Sequence, residues 1–147
     1  MQAERTGHVI RIGVCGGGSA DAELARMAEE VGTAIAQRGA VLICGGLGGV
    51  MAAAARGATA IGGLTVGVLP GTEWTAANPW ISLPLPTGLG EARNALVVRF
   101  SDAVIAIGGE WGTLSEVALA MRTGVPVVLL APTLAADLGL ETAAEPP

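Results

Sequence analysis

The chain has 147 residues, enough for one domain spanning 1–147 whose core needs no disulfide or metal staple. Its net charge is −5 and its eight cations are singly scattered arginines with no lysine, which excludes a basic nucleic-acid face, a Schiff-base lysine and a phosphate-loop lysine. Two cysteines, Cys15 and Cys44, and one histidine do not make an ordinary zinc site, so no metal is expected; no apolar run reaches membrane-spanning length without a glycine, so no membrane span is expected.

Strand and helix patterns alternate along the chain. Val9 to Val14 is expected to be a strand, followed by the turn Gly16-Gly17-Gly18-Ser19 and a helix from Asp21 to Arg38. In that helix Leu24, Ala28, Val31 and Ile35 recur at helical spacing, and Gly39 follows as a stop. Val41 to Ile43 predicts the second strand, Gly45-Gly46-Leu47-Gly48-Gly49 a turn, Val50 to Ala60 an alanine-rich helix, and Leu64 to Leu69 the third strand. From Pro70 to Thr87 the alternation breaks into a proline-rich loop with a short extended piece at Ile81 to Leu83. Glu91 to Phe100 predicts a helix, Ala103 to Ile107 a strand, Thr113 to Arg122 a helix and Val125 to Leu130 the last strand, and the tail 131–147 is expected to be loosely ordered. This order gives an α/β fold, an open, mostly parallel sheet with helices on both faces and a ligand site beyond the carboxyl ends of its strands.

Three strand ends carry glycine pairs: Gly16-Gly17, Gly45-Gly46 and Gly108-Gly109. Glycines let a ligand approach the main chain, and N–H groups at a helix start bind anions, so these turns are candidate contacts for a phosphate or nucleotide. The candidates are Gly16, Gly17, Gly18, Ser19, Gly45, Gly46, Gly49, Gly108, Gly109, Gly112 and Thr113, with Arg93 as the cation that orients the anion. Familiar nucleotide signatures are absent. Asp21 stands where the dinucleotide fingerprint needs its third glycine, the second strand ends in Cys44 rather than an acid, and neither a phosphate loop nor a Gly-x-Ser-x-Gly elbow occurs. Thr113 and Glu116 have capping-box spacing, which accounts for Glu116 as a helix-start residue and keeps it ionised. Trp74, Trp80 and Trp111 are candidates to stack on a planar ligand.

Gly112-Thr113, Glu116 and an arginine twenty-three residues before it, Arg93, resemble the LOG-like superfamily of cytokinin riboside 5′-monophosphate phosphoribohydrolases, once described as lysine decarboxylases. The hydrolase motif Pro-Gly-Gly-x-Gly-Thr-x-x-Glu becomes Gly108-Gly109-Glu110 before the shared Gly112-Thr113, and the lysine after its arginine becomes Asn94. A closer resemblance, from the first strand to about Leu130, is to the molybdenum cofactor carrier proteins and their uncharacterised bacterial relatives. It runs through Gly49-Val50-Met51, Val68-Leu69-Pro70-Gly71 and Thr87-Gly88-Leu89-Gly90. The resemblance implies a Rossmann-like fold and a homodimer or homotetramer. It implies a binding or carrier role for a phosphorylated pterin of molybdenum cofactor type, or for a nucleotide, as cargo. The alternative it leaves open is an enzyme that cleaves the N-glycosidic bond of a nucleoside 5′-monophosphate, with Glu116 and Arg93 catalytic. Nucleic acid and membrane are not expected partners, and the polar start from Met1 to Gly7 points to a cytoplasmic protein.

Overall fold

The computed structural model describes residues 7–131. Most of the expected tail therefore lies outside the described residues. Six strands form one sheet: β1 (Arg11–Gly16), β2 (Val41–Cys44), β3 (Thr65–Leu69), β4 (Leu83–Pro86), β5 (Ala103–Ile107) and β6 (Val127–Leu130). Their order is β4-β3-β2-β1-β5-β6 and every neighbouring pair is parallel. Among the described residues four α-helices cover it: α1 (Ala22–Gln37), α2 (Val50–Thr59), α3 (Asn94–Arg99) and α4 (Trp111–Thr123). This is the Rossmann-like open sheet that the alternating pattern predicts.

Side chains alternate across the sheet, so each strand feeds two cores. Val14, Leu42 and Cys44 pack on one face with Ala28 and Ile35 of α1 and with the alanines of α2. Cys15, Ile43, Val66 and Val68 pack on the other with Val97 and Val98 of α3 and Ala120 of α4. Asp21 caps α1 by accepting the N–H of Leu24 at 2.8 Å, and Gly39 turns the chain out of it at φ +69°. Helices α1 and α2 meet backbone to backbone at two glycines that leave no Cβ between them. A Cβ on Gly32 would lie 1.9 Å from the carbonyl oxygen of Ala54, and one on Gly57 would lie 2.0 Å from that of Glu29.

Several boundaries differ from the sequence-based expectation: β1 lies two residues later than Val9 to Val14, the helix expected from Glu91 opens as a 3₁₀ turn and becomes α3 only at Asn94, and β6 begins at Val127 rather than Val125. The short extended piece near Ile81 is a full edge strand, β4, lying slightly later at Leu83–Pro86 and paired with β3. Proline is disfavoured inside a sheet because it lacks an N–H, but Thr87 donates to Leu69 across the pair. Since alternate residues point their N–H groups to the same side, Pro84 and Pro86 face the open edge, where no donor is needed. The last helix starts two residues before Thr113, with consequences for the site. Among the described residues, no helix is long and apolar enough to cross a membrane.

Candidate functional site at the strand ends

From β1 the chain winds outward to β2, β3 and β4, and later to the other side through β5 and β6. The loops after β1 and β5 therefore diverge and leave a crevice between them, the usual ligand position in open α/β sheets. A cleft of about 610 Å³ opens there, walled by Gly17, Ser19 and Leu24 on the β1 side and by Ile107, Gly109, Glu110, Trp111 and Gly112 on the β5 side, with Glu91 across its mouth. A smaller cleft of about 370 Å³ lies beside it along Asn94, Trp111 and Ser115.

The capping assignment of Glu116 is corrected by the helix start. Strand β5 ends at Ile107, Gly108 and Gly109 turn the chain at φ +58° and +157°, and α4 begins at Trp111. Glu110 is the N-cap: its carboxylate accepts the N–H of Thr113, and the Thr113 hydroxyl accepts the N–H of Glu110 at 3.3 Å. The same Thr that sequence spacing pairs with Glu116 thus pairs with the acid three residues before it. Glu116 falls in the second turn, facing the sheet.

There Glu116 is buried, with 7% of its surface exposed, and its Oε2 accepts the Cys15 thiol at 3.0 Å. Burial pushes its carboxyl from 4.5 up to about 7, against the opposing pull of the Cys15 hydrogen bond and the Arg93 charge. The expectation of a permanently ionised Glu116 is therefore overturned: desolvation outweighs the helix-start field, which fades beyond the first turn. Burial, then the neighbouring Glu116, pushes the Cys15 thiol well above its ordinary value, so the sulfur keeps the proton it donates. Cys44 points to the opposite face, where burial raises it to about 12. Both thiols are free.

Arg93 ends a short 3₁₀ turn, Gly90–Arg93, just before α3. It is buried, with 9% exposed, rather than a surface cation. Its guanidinium lies along the second glycine turn, where a Cβ on Gly45 would come within 2.8 Å of Nη2. Nη1 donates to the side-chain oxygen of Asn94, whose Nδ2 donates to Ser115 at 3.0 Å, and Ser115 in turn donates to the Gly112 carbonyl at 2.7 Å. Asn94, standing where the hydrolases have lysine, thus ties Arg93 to α4. The Arg93 Nε is buried with no partner among the described residues. An orphaned charged donor is costly, and a ligand oxygen is one way to satisfy it.

The three glycine turns meet at one edge but do different work. Gly17, Ser19, Gly109 and Gly112 wall the main cleft. Gly16 lies under Val50, Gly49 packs on the backbone of Gly17 and Gly18, and the N–H of Val50 is already bonded to the Gly17 carbonyl. Gly46, at φ +79°, has its carbonyl held by Asn78, and Gly108 sits beneath Leu24. Of the tryptophans, Trp111 borders the cleft, whereas Trp80 lies 5.7 Å from the Arg56 guanidinium and Trp74, exposed in the loop after β3, walls neither cleft. Glu91, Leu24 and the Cys15–Glu116 bond were not legible as site features. Only Glu110 carried a usable signal, an acid three residues before a threonine directly after a glycine pair.

The fold and this edge define an all-parallel Rossmann-like protein with a ligand-sized cleft at its topological switch point. The chain belongs to the SLOG cluster4 family, whose profile matches residues 9–145. It is 46% identical, over 84% of its length and 82% of the relative's, to a protein of Archaeoglobus fulgidus described as uncharacterized. It is 37% identical to a cytokinin riboside 5′-monophosphate phosphoribohydrolase of Mycobacterium tuberculosis, over 80% of this chain and 68% of that one. Among solved structures it resembles the molybdenum cofactor binding protein of Rippkaea orientalis, with a TM-score of 0.84, 41% identity, and 88% and 82% of the two chains covered. The Moco carrier protein of Chlamydomonas reinhardtii matches with a TM-score of 0.80, 38% identity and the same coverage.

Proposed function

We propose that this protein binds and carries a phosphorylated pterin of molybdenum cofactor type, or a nucleotide, at the carboxyl ends of β1, β2 and β5. The observation that carries this reading is Arg93, a buried guanidinium lying against the Gly45 turn with its Nε unpartnered. In this reading Gly17, Ser19, Gly109 and Gly112, which wall the cleft, approach the ligand and Arg93 takes its phosphate, while Thr113 serves the helix cap. The likeness to the Rippkaea and Chlamydomonas proteins supports that cargo class. The protein works in the cytoplasm as a homo-oligomer, which accounts for exposed apolar side chains such as Leu89, Phe100, Met121, Val128 and Leu129.

Purified from cells that make the pterin cofactor, the protein is expected to carry a chromophore visible in absorbance and fluorescence. A clean apo spectrum together with no nucleotide binding in titration overturns the reading. Arg93→Met is expected to weaken phosphorylated ligands by about tenfold to a hundredfold, the value of hydrogen bonds to a charged group, as measured by calorimetry.

The second reading is a hydrolase of nucleoside 5′-monophosphates, favoured by the Mycobacterium relative and by a Glu116 carboxyl that titrates near neutrality. A carboxyl at about 7 supplies the proton donor that departure of the base requires. Its burial against Cys15 argues the other way, since Glu116 does not wall either cleft. Incubation with AMP is expected to release no adenine above a Glu116→Ala control, and release above it would establish turnover.

A further inference from the structure

The main cleft has a charge pattern that a phosphate does not explain. Among the described residues its two charged wall residues are both acids, Glu91 and Glu110, and no cation lines it. An anionic group there faces two carboxylates, so this end suits a part of the ligand that carries no negative charge.

We propose that Glu110 and Trp111 recognise a 2-amino-4-oxo-pyrimidine edge, as carried by guanine or a pterin, the carboxylate accepting the ring N–H and the exocyclic amine while the indole stacks on the bicycle. This rests on the cargo reading above for the phosphate, but not for the ring. Three observations carry it. The cleft, about 610 Å³, lies within the range of small-molecule sites. Glu110 is held in place by its own helix, since the Thr113 N–H fixes the carboxylate, and it reaches over the first turn. A Cβ on Gly17 would lie 2.7 Å from Glu110 Oε1, so only glycine leaves the carboxylate this position. The capping bond occupies one of roughly four acceptor positions of a carboxylate, and two parallel N–H donors suit those that remain. Trp111 follows directly, 65% exposed, with its ring bordering both clefts. Such an indole offers an uncovered face to a planar ring.

The donor pattern decides the ring. Guanine and pterin present a ring N–H beside an amine, two donors in parallel. Hypoxanthine and lumazine lack the amine, and adenine sets its amine beside acceptor nitrogens that a carboxylate repels.

The test titrates the protein with GMP, guanosine, IMP and AMP, and separately with 2-amino-4-oxopteridine, lumazine and free arginine, following tryptophan emission and binding heat. GMP is expected to bind about tenfold or more tightly than IMP, and the aminopteridine likewise over lumazine, because a hydrogen bond to a charged acceptor is lost. Which aminated ring binds more tightly separates a nucleotide from a pterin. Glu110→Gln should abolish the amine preference, and so should Glu110→Ser, which retains a good helix cap. Trp111→Leu should weaken every bicycle alike and leave the preference intact. Equal binding of aminated and non-aminated rings, persistence of the preference in Glu110→Ser, stronger binding of free arginine than of either ring, or no binding by any of them overturns the proposal. Retained amine preference with no gain from a phosphate overturns the phosphate-carrying role and leaves this one standing.

Discussion

Glu116→Gln is expected to raise the unfolding free energy at pH 8 by about 3 kcal/mol, the shift from 4.5 to about 7 converted at 1.36 kcal/mol per unit. The sign follows from burial. A carboxyl whose folded pKa lies above its unfolded value binds its proton more tightly in the folded chain. Its contribution is therefore fully present below pH 4.5 and is lost as pH rises to about 7 and beyond. Glutamine fills the same volume, keeps an oxygen for the Cys15 thiol and has no charge to desolvate. Urea titrations at pH 5 and pH 8 test this: the variants should nearly coincide at pH 5, and the wild type should fall behind at pH 8. A less stable Glu116→Gln at pH 8 would mean that the ionised carboxylate and Arg93 form a net favourable pair.

Gly32→Ala is expected to destabilise the protein by about 2 kcal/mol, lowering its melting temperature by roughly 4–8 °C for a chain of this size. In an exposed helix the same change would stabilise by up to about 1 kcal/mol, because alanine is the better helix former. The opposite sign is expected because the new methyl meets a backbone carbonyl, that of Ala54, at 1.9 Å, and a backbone group cannot rotate aside as a side chain can. The two helices must separate, opening the core at Ala28 and Ile35. Gly71→Ala is the control: a Cβ there meets nothing within 4 Å and its φ is not in the left-handed region. Thermal melts showing Gly32→Ala at or above wild type would mean that the α1–α2 contact yields without cost.

The elements that sequence patterning located well are those whose burial follows a clear period. Leu24, Ala28, Val31 and Ile35 mark α1 within a residue at each end, and the short apolar runs before glycine pairs mark β1, β2 and β5. Strand β4 was visible only as a fragment, because Pro84 and Pro86 signal a break and their tolerance depends on which way the open edge faces. In the site, the convergence of three glycine turns was legible, since strand ends of a parallel sheet share one edge. Glu116 was not, because Thr113 belongs to two overlapping capping patterns and local spacing does not choose between them. The choice depended on how far the Gly108-Gly109 turn advances before α4 begins. The burial of Arg93 was equally invisible, as it depends on the 3₁₀ turn that directs Arg93 inward while residues 90–92 stay exposed.

The two prolines of β4 also set the symmetry of any assembly built by strand pairing. With Pro84 and Pro86 facing outward, that margin offers few main-chain donors to a neighbour, whereas β6 at the opposite margin has no proline within it and half-exposed Val128 and Leu129. With β6 the one pairable margin among the described residues, strand pairing joins a second copy only through a two-fold axis. The sheet then ends at both sides in β4, so addition stops at two chains and a fibre has no growing tip.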